Sequence, residues 1–456
     1  MNVEFALETP SATARVQPVA SAVPWWQTRT RSHTLALAPQ GSSVAFGALV
    51  AFTAILLLSP QAWFPILKAF RIAFLAAGLA IAAHVVERTA HRRSITQLSP
   101  EIGIALMLVC WSILTLPLSV WPGGSVRILT DYYLKAIAFF WLLGTIVTTT
   151  DRLRTMAWTL TFCAIPLAAT GIFNYVAGEY LSTGVRGFYR ISGYMGVLTA
   201  NPNDLALMLN LIIPLTGALV VGAHGVKRLF AIAVMLLCVA AVILTFSRAG
   251  FLTLGATFIL LLGMLVTRRR AGIAAALLLL ALCAYPFVPD GYMTRISTIT
   301  NITEDVTGSA QGRWRDAKVA AGLVAKHPVV GAGIGQDILV MNDERGIDTW
   351  RRVHNAYLQY GVDLGLPGLL MFVWLHLTCY RTARTVEQRA AATPPLRDLQ
   401  PLATGVKMSL VAFGVAAMFH PIAYQFYFFS VAGLAVALRN TYRTAVDAPA
   451  RDGGPQ

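Results

Sequence analysis

About twelve apolar runs, most of them near twenty residues long, constrain this chain more than any other feature. At about 1.5 Å of rise per residue such a run spans the hydrocarbon core of a bilayer as one helix. Reading with that ruler places candidate spans at 43–59, 62–85, 102–121, 130–149, 155–177, 203–223, 229–246, 250–266, 271–288, 359–379, 402–421 and 424–438. Composition agrees: 56% of the 456 residues are hydrophobic and only 12% are charged. A soluble domain carries about 25% charged residues, so the apolar surplus here must face lipid. The expected fold class is an all-α, polytopic integral membrane protein, which excludes a soluble enzyme, a disordered chain and a secreted disulfide scaffold. The five cysteines, Cys110, Cys163, Cys238, Cys283 and Cys379, sit inside apolar runs without close spacing and read as small core residues.

The links alternate in charge. Basic residues follow the even-numbered spans: Arg88, Arg92 and Arg93; Arg152 and Arg154; Lys227 and Arg228; Arg268 to Arg270; Arg381, Arg384, Arg389 and Arg397. The positive-inside rule puts these links, and both termini, in the cytoplasm. The net charge of +15 then reports membrane orientation and not nucleic-acid binding. The expected organisation is a cytoplasmic lead over 1–41, spans 1–9 over 42–288, a periplasmic loop over 289–358, spans 10–12 over 359–440 and a cytoplasmic tail over 441–456.

Residues 312–327 of that loop form a helix-compatible run ended by Pro328, with Trp314, Ala317, Ala321 and Val324 at helical spacing. Arginines collect on the outer side. A guanidinium holds a phosphate by two-point contact, so this bias suits a lipid-linked phosphate or pyrophosphate, although residues on a translocated loop can also be simply solvated. Arg186 and Arg190 precede a helix start at Asn201-Pro202-Asn203-Asp204, whose dipole also favours an anion. Arg248 lies in a tight turn between two spans, Ser247-Arg248-Ala249. His354 is the outer histidine placed to work as a general base near the mouth, sharing a helical face with Arg351 and Leu358. Gly331, Gly333 and Gly335 imitate a nucleotide loop, but no strand precedes them. No His or Asp spacing on the outer side suits a catalytic metal.

Together the Arg-bearing turn before the Asn-Pro-Asn start, the Ser-Arg-Ala turn and the late loop resemble the O-antigen ligase (Wzy_C-type) superfamily. Within the loop the likeness rests on Gly312-Arg313-Trp314 with Ala317, on His327-Pro328 with Val330-Gly331-Ala332-Gly333, on His354-Asn355-Ala356-Tyr357-Leu358 and on Gly365-Leu366-Pro367-Gly368. The resemblance covers about residues 180–370 in motif. It implies an inner-membrane glycosyltransferase with its active site on the periplasmic face. Such an enzyme moves O-antigen polysaccharide from undecaprenyl pyrophosphate to lipid A-core, without cofactor, metal or ATP. Carried over by motif, the family's site residues fall on His354 as general base, on Arg313, and on Arg186 or Arg190 together with Arg248 for the pyrophosphate. A polymerase of the same superfamily is the near alternative, although here the 178–202 link is short while the 289–358 loop dominates. A membrane anion or lipid transporter is the alternative from another class; the polar residues gather on one face instead of at mid-membrane, and no internal repeat is evident.

Overall fold

The computed structural model describes residues 41–181, 190–191, 193–196, 198–284, 286, 288, 292, 309–346 and 350–447. The lead at 1–40, the end of the tail, much of the stretch from 285 to 308, and Arg186 lie outside the described residues.

Helix follows helix along the chain. The elements are α1 (Ser43–Leu58), α2 (Ile72–Ala90), α3 (Pro100–Leu114), α4 (Pro122–Ile128), α5 (Leu134–Ile146) and α6 (Thr150–Val176). A two-residue antiparallel pair follows, β1 (Tyr180–Leu181) with β2 (Arg190–Ile191). Then come α7 (Pro202–Gly222), α8 (Gly225–Leu244), α9 (Arg248–Thr267) and α10 (Ala271–Ala284). The late loop holds α11 (Ser309–Lys326) and α12 (Asp337–Arg345), and the chain closes with α13 (Ala356–Ala392), α14 (Leu399–Ala416) and α15 (Phe426–Asp447). A π-helical turn, Leu129–Tyr133, joins α4 to α5 without leaving the helical path. Counting α4 and α5 as one rod, each of the twelve apolar runs contains most of one helix. Among the described residues, seven helices are individually long and apolar enough to cross a membrane; Ser43–Leu58, Pro100–Leu114 and Ala271–Cys283 are shorter apolar helices. The protein is an all-α polytopic membrane fold.

The local signals that start the helices are read directly from sequence. Ser42, Ser99, Thr149, Asn201, Ser247 and Asn355 each accept a hydrogen bond from a backbone N–H in the first turn of the helix they open. Proline stands at the first position of α3, α4 and α7, where its missing N–H costs nothing. α15 runs through the centre of the bundle against α5, α13 and α14, and residues Val431 to Tyr442 are almost wholly buried. α7 packs between α8 and α14. By contrast α2 and α10 leave their leucines and phenylalanines exposed, as helices facing lipid do.

The late loop is a small cap with a core of its own. Ala320, Leu323, Met341 and Val353 bury against Val362 on α13. The helix expected to end at Pro328 does end there, but it buries a different face. Gly312, Asp316, Ala320 and Leu323 point inward while Trp314 is 60% exposed under the Lys318 ammonium. Apolar spacing misled here because the inward face carries a carboxylate: Asp316 pairs with Arg345 at 2.9 Å, both nearly buried, and this pair fastens α11 to α12.

Candidate active site at the His354 end

His354 stands two residues ahead of α13 and is fixed from both sides. After it, Asn355 accepts hydrogen bonds from Tyr357 and Leu358 N–H at 3.0 and 3.1 Å, and Ala356 N–H donates to Ala417 O at 2.7 Å. Before it, Val353 N–H donates at 3.1 Å to the fully buried Asp337 carboxylate, which also takes Gln359 Nε2 at 3.3 Å and faces Arg352 at 3.8 Å. Gln359 Oε1 in turn accepts from Ala423 N–H at 3.2 Å. His354 is therefore not on a helical face with Arg351 and Leu358; the Asn355 cap starts the helix after it.

The ring's own bond sets its chemistry. His354 Nδ1 lies 3.0 Å from Arg352 O, and a carbonyl only accepts, so the proton sits on Nδ1 and Nε2 carries the lone pair. Burial lowers the His354 pKa below its ordinary value, and Arg313 pushes the same way. The Arg352 carbonyl and Asp316 oppose the shift and Arg351 adds to it. The neutral, proton-accepting imidazole is thus the form present at neutral pH.

Arg313 reaches this neighbourhood from the first half of α11. Its predecessor Gly312 matters sterically, because a Cβ there would press on the Arg351 guanidinium at 3.2 Å. The remaining arginines come from the other side. Asn201 caps α7 through Asn203 N–H at 2.9 Å, which turns the Asn203 side chain back toward the chain entering the helix. Asn203 Oδ1 then accepts from Arg190 at 2.6 Å and from Ser247 Oγ at 2.8 Å. Ser247 Oγ also caps α9 by accepting from Gly250 N–H at 3.1 Å, so Arg248, the first residue of that helix, is brought to the same place as Arg190. Phe246, with φ at 50°, makes the turn sharp enough for this.

His420 joins the two halves. It follows α14, with Nδ1 2.8 Å from Ala416 O and Nε2 3.3 Å from Asn203 O, and it lies within electrostatic reach of both Arg313 and His354. Sequence reasoning missed it, because the residue falls at the tail of an apolar run and counts there as part of a span. The visible signal was the His420-Pro421 step, which no transmembrane helix needs at that point. The structure therefore brings together Arg190, Arg248, Arg313, His354 and His420 at one end of the bundle.

The glycine loop beside the site is structural. Ala332 and Gly333 N–H donate at 2.8 Å to Val362 and Asp363 O, and Gly335 N–H donates at 3.0 Å to the Asp363 carboxylate. These carbonyls are free because α13 breaks at Gly365, where φ is 68° and Leu366 N–H turns to Pro328 O at 2.7 Å. On the other side Ser119 and Ser125 hydroxyls donate to Ala332 and Ile334 O at 3.2 and 3.1 Å. Gly333 has φ at 100°, and a Cβ there would overlap the Ser119 side chain. The Val330-Gly331-Ala332-Gly333 and Gly365-Leu366-Pro367-Gly368 segments are thus two sides of one joint. Among the described residues no three His, Cys, Asp or Glu side chains gather as metal ligands, and the charge at the site comes from guanidinium groups.

Arginines and a neutral histidine gathered at one end of an all-α membrane fold can bind an anion and accept a proton. Residues 233–373 match the Wzy_C family model, described as O-Antigen ligase. The matched stretch contains Arg248, Arg313 and His354; Arg190 and His420 lie outside it. No curated protein matches the chain.

Proposed function

We propose that this protein is an O-antigen ligase of the bacterial inner membrane, transferring finished O-antigen from undecaprenyl pyrophosphate to lipid A-core at the periplasmic face. The observation that supports this most directly is the neutral, lone-pair-bearing Nε2 of His354 held beside Arg313. The energy for transfer is stored in the donor, so the protein has two tasks: removing a proton from the acceptor hydroxyl and stabilising charge on the departing pyrophosphate.

In the proposed step His354 Nε2 accepts the proton of a core-sugar hydroxyl as its oxygen attacks the anomeric carbon of the donor sugar. The bond from that carbon to the pyrophosphate oxygen breaks, and the electron pair leaves with the undecaprenyl pyrophosphate. Arg190, Arg248 and Arg313 neutralise the charge that grows there, a task for fixed guanidinium forks. Arg186 belongs with Arg190 in this role. Attack opposite the leaving group inverts the anomeric centre; net retention in the product linkage would sink the single-step scheme. No cofactor, metal or ATP enters the step.

The deciding experiment supplies purified protein in membranes with undecaprenyl pyrophosphate glycan and lipid A-core, with no metal or nucleotide. Glycan-modified lipid A-core is the expected product. A lengthened polyprenyl-linked glycan with untouched lipid A-core would make the protein a polymerase, and transport of intact donor without transfer would place it outside enzymes.

A further inference from the structure

At the opposite end of the helices a cavity of about 150 Å³ opens between the ends of α6, α7, α8 and α14. Arg154, Trp158, Gly222, His224, Arg397 and Asp398 are among its lining residues. Three features set it apart from an ordinary helix junction. Arg154 on α6 and Arg397 in the turn before α14 converge on it, and no ion pair or side-chain hydrogen bond engages the exposed Arg397 guanidinium among the described residues. α8 begins there after His224 with no side-chain cap, no acidic residue in its first turn, and Lys227 and Arg228 in its place. A helix start normally attracts carboxylates, so this one concentrates positive charge where its dipole already adds more. Beyond the cavity the rings of Trp158, Phe162 and Phe230 form a wall, with centroids 5.5–6.2 Å apart and planes 32–40° from parallel. Phe162 is 52% exposed and Phe230 37% on the lipid-facing surface.

Arg154 also meets two carboxylates, Asp151 at 3.0 Å and Asp398 at 3.4 Å. Both are more than four-fifths exposed, and ion pairs of that kind bind weakly in water. The guanidinium fork has five donors, so these contacts leave N–H groups for another acceptor.

We propose that this cavity holds the phosphate of an anionic phospholipid, clamped by Arg154 and Arg397 at the start of α8, with an acyl chain lying over Trp158, Phe162 and Phe230. A phosphate anion is the chemistry the charged rim takes, and the aromatic wall beneath it selects a lipid over a soluble ion. Basic pockets between transmembrane helices recognise anionic headgroups in this way. The site is independent of the chemistry at the His354 end.

The full-length protein in nanodiscs of phosphatidylcholine doped with phosphatidylglycerol, released into native mass spectrometry, tests this. Wild type is expected to retain phosphatidylglycerol in preference to phosphatidylcholine, and Arg154→Ala/Arg397→Ala to weaken that retention by about ten-fold or more. Equal retention of both lipids by wild type, or unchanged phosphatidylglycerol retention by the variant, overturns the proposal. Should the double variant fold poorly, Arg397→Glu changes one exposed side chain and is expected to cut retention similarly. Phe162→Ala/Phe230→Ala separates the sources. Weakened lipid retention is expected; retention that is unchanged while inorganic phosphate competes the lipid away assigns the site to a soluble phosphate, and the lipid assignment fails.

Discussion

Two parts of the molecule gather arginine, and they treat it differently. Between α3, α13 and α15, Arg439 donates to Glu101 Oε1 through Nε at 3.1 Å and through a terminal nitrogen at 2.6 Å, and to Thr382 Oγ1 at 2.8 Å; Thr382 also donates to Glu101. Nearby, Glu387 takes Lys407 at 2.5 Å, Arg268 at 2.7 Å and the Thr404 hydroxyl at 2.6 Å. In these clusters a carboxylate sits directly on each cation and the charges cancel inside the bundle. At the His354 end Arg190 donates to the neutral amide oxygen of Asn203 at 2.6 Å and lies within electrostatic reach of the Asp204 carboxylate. Around His354, Arg313 and Arg351 lower the imidazole pKa while Asp316, itself paired with Arg345, raises it. Charge cancelled on a directly bonded, fully buried carboxylate holds helices together; half-buried guanidinium groups at one end of the bundle stand where an anion can reach them.

Mutations should separate these two uses. The largest expected effect is on transfer by His354→Ala, with a fall of roughly 10³-fold or more in ligation and no change in membrane expression or thermal midpoint. Normal transfer by that variant breaks the assignment of the base. The converse holds for Glu101→Ala: removing one partner of a buried pair is expected to cost about 3 kcal/mol or more of stability, seen as a lowered midpoint in detergent. Unchanged stability would show that Arg439 finds another partner.

Smaller effects sharpen the contrast. Arg190→Lys and Arg313→Lys keep the charge and lose the fork, so transfer is expected to fall about ten-fold or more with the fold intact. Wild-type rates for both would return these side chains to a headgroup role. Finally, transfer should respond to pH through His354. Its folded pKa is lowered by burial, Arg313 and Arg351. The base therefore stays neutral at and below about pH 6.5, and the rate falls only at more acid pH. Arg313→Gln removes one lowering charge and should move that acid limb to higher pH. A limb that stays in place, or moves down, contradicts the electrostatic coupling.

Much of the fold could be read along the chain, and much less of the site. The apolar helices follow from apolar length, and the capping residues Asn201, Ser247 and Asn355 mark the starts of three of them. The face of α11 was misread because Asp316 is buried by pairing with Arg345, thirty residues on. The glycines at 331, 333 and 335 were visible, but their purpose was not: they fit a loop against the break at Gly365, and that break is a tertiary event.

The sequence by itself determined that this chain forms an all-α polytopic membrane fold and which residue types could do chemistry. Those are consequences of local hydrophobic length, capping and side-chain chemistry, each settled within about twenty residues. Only the tertiary structure decided that Asn203 gathers Arg190, Ser247 and His420, and that Asp337 and Asn355 hold His354 off the helix. The physical reason is that a buried polar group must find a hydrogen-bond partner wherever the packed helices bring one, and that partner's place in the sequence carries no trace of the pairing.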